Sequence, residues 1–424
     1  MSESEGTREA ARTVFGRAGA AVLELAGASV QRRGPRIVFE MSPPLWSRAA
    51  DFASRHRLSG VALHSAQAAG LAIPEPAVSR FRATLLSVAL GTEVAMTQVS
   101  ELLRVLQELS IPCIFLKGIH LSFGVYDRPT YRSFGDIDLL VHEADATLLE
   151  ISLLREGYRH SGTDAPPLNG KHLNPLFRRG RFPVEIHTKL LGKTSAPRGQ
   201  PMLDQVWERS RLLAIGESQV HVMAPEDLLV HLAVHLSAEH RFFCDLSHLL
   251  DFCAIAQRWG DTLDLSYIAE LSPLRAYTHH LSLAVAMAER FFGMPMALTG
   301  ALRTASHEAR TRYACAGLTW FDRRRLPVDG RLLQVLSATS VATKLRLLTE
   351  ALAPSPGASG APATDPCFAA KVLFSSRRFR HLLLVAGRLL LLTISHPHTL
   401  SEFVAIRSSN SELVPNGPNQ SGRG

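Results

Sequence analysis

The segment GDIDLLV at residues 135–141 sets two carboxylates among apolar residues at alternating positions. In a β-strand, side chains two apart point to the same side, so Asp136 and Asp138 project together while Ile137 and Leu139 face the opposite layer. Two carboxylates held this close repel each other unless a proton or a divalent cation neutralises them, and hard oxygen ligands suit Mg²⁺. A third carboxylate, Glu185, stands in VEIH at residues 184–187, between the apolar residues Val184 and Ile186 that anchor a strand. If that strand lies beside DIDLL, three carboxylates converge.

The surroundings read as a mixed α/β core. Upstream, IPCIFLKG (111–118) is a short apolar run opening onto Gly118, and IHLSFGVY (119–126) is compatible with a short helix. Downstream, residues 143–156 form a helical pattern with Gly157 as its stop, and LNPLFRRGRFPVEIHTKL (173–190) reads as a hairpin turning at Arg179-Gly180. Residues 41–109 are helical in character, ending in a run where Val99, Leu102, Leu103, Leu106 and Leu109 recur at helical spacing before Ser110-Ile111-Pro112 stops it. From Ala224 the pattern is helical again. Pro225 suits a first helical position, and Glu226 and Asp227 suit the positive end of the helix dipole.

These patterns divide the chain into a flexible lead (1–34), a helical segment (35–110), the core (111–192) and a helical domain (193–352). A Pro/Gly/Ala/Ser linker (353–367), a helical appendage (368–407) and a disordered tail (408–424) complete it. No internal repeat is evident.

The bulk composition is that of ordinary globular material: 424 residues, 46% hydrophobic and 20% charged. The N-terminus lacks a secretory pattern. Five scattered cysteines (Cys113, Cys244, Cys253, Cys315 and Cys367) form no C-x-x-C pair, so a reducing, cytoplasmic setting is expected. The apolar run 382–394 is broken by Gly387 and Arg388, falls short of the roughly 20 residues a span requires, and reads as a buried helix. The net charge of +8 is uneven, since residues 301–424 hold 16 basic against 7 acidic groups. That third could attract nucleic acid, but it carries no stacking platform, and solvated helix faces are the simpler reading.

Three carboxylates can hold two Mg²⁺ ions, one activating an attacking hydroxyl and the other stabilising charge on phosphates, which is the machinery of nucleotidyl transfer. Lys117-Gly118 sits where a strand passes into a helix, so backbone N–H groups there can receive phosphate oxygens. Lys117 adds a mobile charge and Arg132 a fork for bidentate phosphate contact.

At these residues the chain resembles the bacterial proteins called uncharacterised nucleotidyltransferases, within the polymerase-β-like superfamily. The likeness rests on IPCIFLKG, with Lys-Gly in place of the superfamily's Gly-Ser, on YDRPTYRSFGDIDLLV with Arg132 ahead of both aspartates, and on EGY and VEIH. It continues through APEDLLVHLAVHLSAEHRF and LLDFCAI and covers roughly residues 40–300. The resemblance implies an α+β fold, a small mixed-sheet core flanked by helical segments. It also implies a Mg²⁺-dependent enzyme moving an NMP group from an NTP, with ATP expected, to an acceptor hydroxyl with release of pyrophosphate. Asp136, Asp138 and Glu185 are then the catalytic metal ligands, and Lys117, Gly118 and Arg132 hold the triphosphate. The acceptor, whether small molecule, peptide or sugar, is not implied.

Other readings stand beside these. D-x-D alone is common, Glu185 could be a surface residue paired with Lys189 or Arg181, Lys117 could merely neutralise the acidic pair, and Arg132 could be a structural salt bridge. His187, on the side of Glu185, could support the site through hydrogen bonds. His231 and His235, four apart, read better as satisfied partly buried histidines than as a metal pair. A silent nucleotide-binding module is the alternative to an enzyme, with a nucleic-acid-binding protein behind it.

Overall fold

Seven strands build one mixed sheet: β1 (Ile114–Phe115), β2 (Ile137–Leu140), β3 (Arg159–His160), β4 (Leu176–Phe177), β5 (Val184–His187), β6 (Arg211–Ile215) and β7 (Ser218–Val222), in the order β3-β4-β5-β2-β1-β7-β6. β2 runs parallel to β5 and antiparallel to β1, which in turn runs parallel to β7. The computed structural model describes residues 3–37, 40–160, 171–191, 202–240, 242, 244–270 and 278–293. The 353–367 linker, the 368–407 appendage with its apolar run, the 408–424 tail and the basic C-terminal third all lie outside the described residues, as do residues 294–352 of the expected helical domain.

Eleven helices are described: α1 (Glu3–Val30), α2 (Pro43–Arg55), α3 (Ser59–Ala68), α4 (Glu75–Glu108), α5 (Lys117–His120), α6 (Glu143–Arg155), α7 (Met202–Glu208), α8 (Pro225–Val234), α9 (Ser247–Trp259), α10 (Leu265–Glu270) and α11 (Thr278–Phe292). The face of β2 and β5 carrying Ile137, Leu139, Val184 and Ile186 packs on Val99, Leu102 and Leu106 of α4 and on Leu149 and Leu153 of α6. Each such side chain, fully buried, contributes about 1.5–3 kcal/mol. Gly157 ends α6 at φ +92°, and its N–H bonds Leu154 O while that of Tyr158 bonds Leu153 O, as a left-handed glycine allows. Among the described residues, no helix is long and apolar enough to cross a bilayer. Cys113, Cys244 and Cys253 are free thiols.

Two expectations need correction. The lead expected over residues 1–34 forms α1, kinked at Gly16, whose Val22, Leu23, Leu25 and Ala26 are wholly buried where the helix meets α2, α3 and α11. Its apolar residues are concentrated after the kink, so no single helical stripe runs along the whole segment. The core also does not end at 192. The hairpin β6–β7, turning at Gly216 with φ +59°, adds two strands to the sheet beside β1, so residues expected within a helical domain complete it instead.

Candidate active site

Strand pairing brings the carboxylates together. β2 and β5 are in parallel register with Asp138 opposite Glu185 and Leu140 opposite His187, so Asp138, Glu185 and His187 share the face turned away from α4 and α6. Glu185 is placed there by the β4–β5 hairpin, which turns through Gly180 at φ +71°. The buried Gln98 of α4 pins this hairpin, donating to Phe182 O at 2.8 Å and accepting from Phe182 N at 2.8 Å. Arg181 and Arg178 pair with Glu101 of α4, and the nearest acid to Lys189 is Glu143 at 4.0 Å, so neither pairing considered for Glu185 occurs.

Lys117 reaches the same point from the other side. Leu116 N donates to Asp138 O at 3.0 Å, which anchors the start of α5 on β2, and Lys117 Nζ donates to Asp138 Oδ1 at 2.8 Å. Lys117 holds φ +36°, a left-handed backbone that costs a non-glycine residue about 1–3 kcal/mol. Gly118 is required by packing: a Cβ there would lie 2.5 Å from Phe134 Cβ, in the segment leading into Asp136. α5 itself is only four residues long and runs on into a π-helical turn at Leu121–Val125.

Asp138 Oδ1 also meets His187 Nε2 at 2.7 Å, and the same nitrogen is 3.4 Å from Glu185 Oε2. Asp138 Oδ2 and His187 Nδ1 are buried and have no hydrogen-bond partner. Burial alone would raise the Asp138 carboxyl, but the Lys117 charge and the His187 contact outweigh it and hold the group well below the usual carboxylate range. Burial likewise works against Glu185, yet the His187 hydrogen bond leaves its carboxyl lowered. Asp136, just before β2, is raised, first by burial and then by the charge of Asp138. Three carboxylates therefore share a region whose nearest cation is Lys117, and they are pushed apart in proton affinity by their surroundings.

Among the described residues, one ligand atom each from Asp138, Glu185 and His187 lie within 4.8 Å of one another. The expected trio had Asp136 in the place His187 takes in this cluster. Asp136 lies at its margin, within electrostatic reach of Asp138, Glu185 and His187. The signal for His187 was its position two residues after Glu185 on one strand.

Arg132 stands in the structural salt bridge that was the other reading of this residue. Its guanidinium is buried and engages Asp251 of α9 through Nε, at 2.8 Å from Oδ1, and through Nη2, at 3.0 Å from Oδ2; Tyr126 Oη donates to the same carboxylate at 2.8 Å. The fork expected to bind phosphate is occupied by a carboxylate that is itself fully buried. It ties the loop before β2 to α9.

With this geometry in place, a family profile described as uncharacterised nucleotidyltransferase matches residues 42–293, more than half of the chain, and the chain belongs to that family. The match opens at the residue preceding α2 and closes just after α11. No curated protein matches the chain.

Proposed function

We propose that this member of the uncharacterised nucleotidyltransferase family moves an NMP group from an NTP, ATP foremost, to an acceptor hydroxyl and releases pyrophosphate. The observation that carries the reading is the buried, unpartnered Oδ2 of Asp138 beside Glu185 on the adjacent parallel strand. A buried carboxylate oxygen left without a partner is costly, and a hard divalent cation satisfies it.

Mg²⁺ suits the carboxylates of this set: Asp138 and Glu185 supply oxygens and Asp136 a third carboxylate at the margin. Bound there, two divalent ions would supply charge neutralisation on the triphosphate and on the departing pyrophosphate. Lys117 exchanges part of its contact with Asp138 for a phosphate oxygen, beside the backbone of Gly118. His187 holds Asp138 and Glu185 in one orientation. Arg132 anchors the loop that delivers Asp136. The mixed sheet, with carboxylates on two adjacent parallel strands, supports a polymerase-β-like core over 111–192 completed by the hairpin to Val222. The flanking helices then select the acceptor.

The test is pyrophosphate release from each NTP with Mg²⁺ against fractions of cell extract, comparing wild type with Asp138→Asn. Turnover confined to the wild type is expected. Equal turnover by the variant removes the mechanism, and nucleotide binding without release by the wild type favours the silent module.

A further inference from the structure

A second chemical constellation, separate from the carboxylates, occupies the end of α8. There the helix widens into a π turn at His235–Glu239, a local form often found at functional sites. Glu239 Oε2 lies 2.5 Å from Lys171 Nζ and 2.8 Å from His235 Nδ1, and His235 Nε2 lies 2.9 Å from His240 Nε2. Lys171 is buried, Glu239 and His235 are half-buried, at 12% and 13% exposed, and His240 is exposed.

The protons on this chain follow from its partners. Glu239 is held below the usual carboxylate range because the Lys171 ammonium overcomes its burial, so it is an acceptor and His235 Nδ1 carries the hydrogen. His235 is pushed well below its ordinary value, by burial first and then by the Lys117 charge, so the ring is neutral and its Nε2 is a lone pair. His240 Nε2 must then donate to it, which leaves His240 Nδ1 as the lone pair. That atom makes no hydrogen bond among the described residues. The order Glu239, His235, His240 is that of a base oriented and polarised by a half-buried carboxylate.

The relay lies within electrostatic reach of Lys117, the cation at the carboxylate site. Lys117, bonded to Asp138, acts electrostatically on His231, His235 and His240, and Lys171 adjoins His172, whose Nε2 is 3.9 Å from Glu185. One turn before His235, His231 is 3% exposed and neither of its ring nitrogens has a partner.

Resting on the nucleotidyl-transfer reading, we propose that Glu239, His235 and His240 form the general-base relay for the acceptor, and that His240 Nδ1 receives the proton of the acceptor hydroxyl. The oxygen forms its bond to the α-phosphorus as the bond to the β-phosphate oxygen breaks, and pyrophosphate leaves with that electron pair. The proton taken at Nδ1 leaves His240 as an imidazolium whose Nε2–H donates to the neutral His235 Nε2, while Glu239 fixes the His235 tautomer. The charged and titratable groups around the relay are His231 on α8, Lys117 on α5, His187 on β5, Lys171 before β4 and His248 on α9.

The experiment compares wild type, His240→Gln and His240→Gly in pyrophosphate release with the extract fraction that supports turnover, across pH and with added imidazole. Binding of a fluorescent ATP analogue and ¹⁵N-resolved imidazole spectra accompany it. Expected are a rate loss of about 10²–10⁴-fold in His240→Gln, disappearance of the rising limb of the pH profile, recovery of His240→Gly by imidazole, unchanged analogue binding, and an Nδ1–H tautomer at His235. A wild-type rate and pH limb in His240→Gln, loss of analogue binding together with rate, or an Nε2–H tautomer at His235 overturns the relay alone. Absence of release by wild type with every NTP and fraction overturns the nucleotidyl-transfer reading and the relay with it.

Discussion

Glu185 stands directly opposite Asp138 across two parallel strands, and His187 Nε2 reaches both carboxylates, at 2.7 Å from Asp138 and 3.4 Å from Glu185. Asp138 is shared with Lys117, whereas Glu185 is 20% exposed and makes no contact with that lysine's ammonium among the ion pairs described. Glu185 is therefore the cleaner place to remove one ligand. Glu185→Gln is expected to weaken Mn²⁺ binding by at least about 10–100-fold, the range for perturbing even the outer partners of a metal site, while leaving the melting transition near that of wild type. Calorimetric Mn²⁺ titration measures it, and an unchanged affinity excludes Glu185 as a ligand.

How much of this was legible in the sequence depended on the range of the interaction concerned. That Asp138 and Glu185 stand in strands between buried apolar residues was readable because strand alternation is a local rule, and the glycine stops at Gly157 and Gly180 were readable because φ above zero is local too. The pairing Asp138 opposite Glu185 is long-range and could be stated only as a condition. Arg132 shows the limit most clearly, since its partner Asp251 lies 119 residues away and no local pattern announces a carboxylate with 0% exposure. Gly118 is similar: a glycine after lysine suggests room for phosphate, yet the contact that forbids a Cβ comes from Phe134. The relay at Glu239, His235 and His240 follows from a π turn, which no hydrophobic period specifies.

The helix α1 makes its own prediction. Leu23 is wholly buried where α1 meets its neighbours, and Gln31 Nε2, just beyond the helix, donates to Phe292 O at 2.8 Å. Leu23→Ala is expected to cost about 2–5 kcal/mol, as for other leucines deleted from a packed interior. Chemical denaturation measures this, and a cost near zero would restore the flexible lead expected over residues 1–34.

At Gly118 a methyl group meets Phe134 at 2.5 Å, a distance Cβ atoms do not tolerate. Gly118→Ala is expected to destabilise the protein by about 1–3 kcal/mol through overpacking. Adding Phe134→Gly removes the atom at 2.5 Å, so the double variant should recover part of that loss relative to the sum of the single changes. Denaturation of all four proteins gives the coupling. Strict additivity would mean that Phe134 is not what excludes a side chain at 118.

Asp245 links stability to pH. Burial alone would raise its carboxyl, but His248, Arg132 and Arg57 outweigh burial and depress it, while the Ser247 N–H donates to Oδ1 at 3.1 Å. Because the folded value lies below the unfolded one, about 3.9 for an aspartate, the unfolded chain binds the proton first as pH falls. The contribution of Asp245 is then fully present above that unfolded value and is lost progressively below it. Each extra proton held by the unfolded chain steepens the loss by about 1.4 kcal/mol per pH unit. Denaturant titrations between pH 6 and pH 2 should therefore show a shallower acid slope in Asp245→Asn than in wild type. Parallel slopes would mean that Arg57, at 3.5 Å, and Arg132 leave this carboxylate unperturbed.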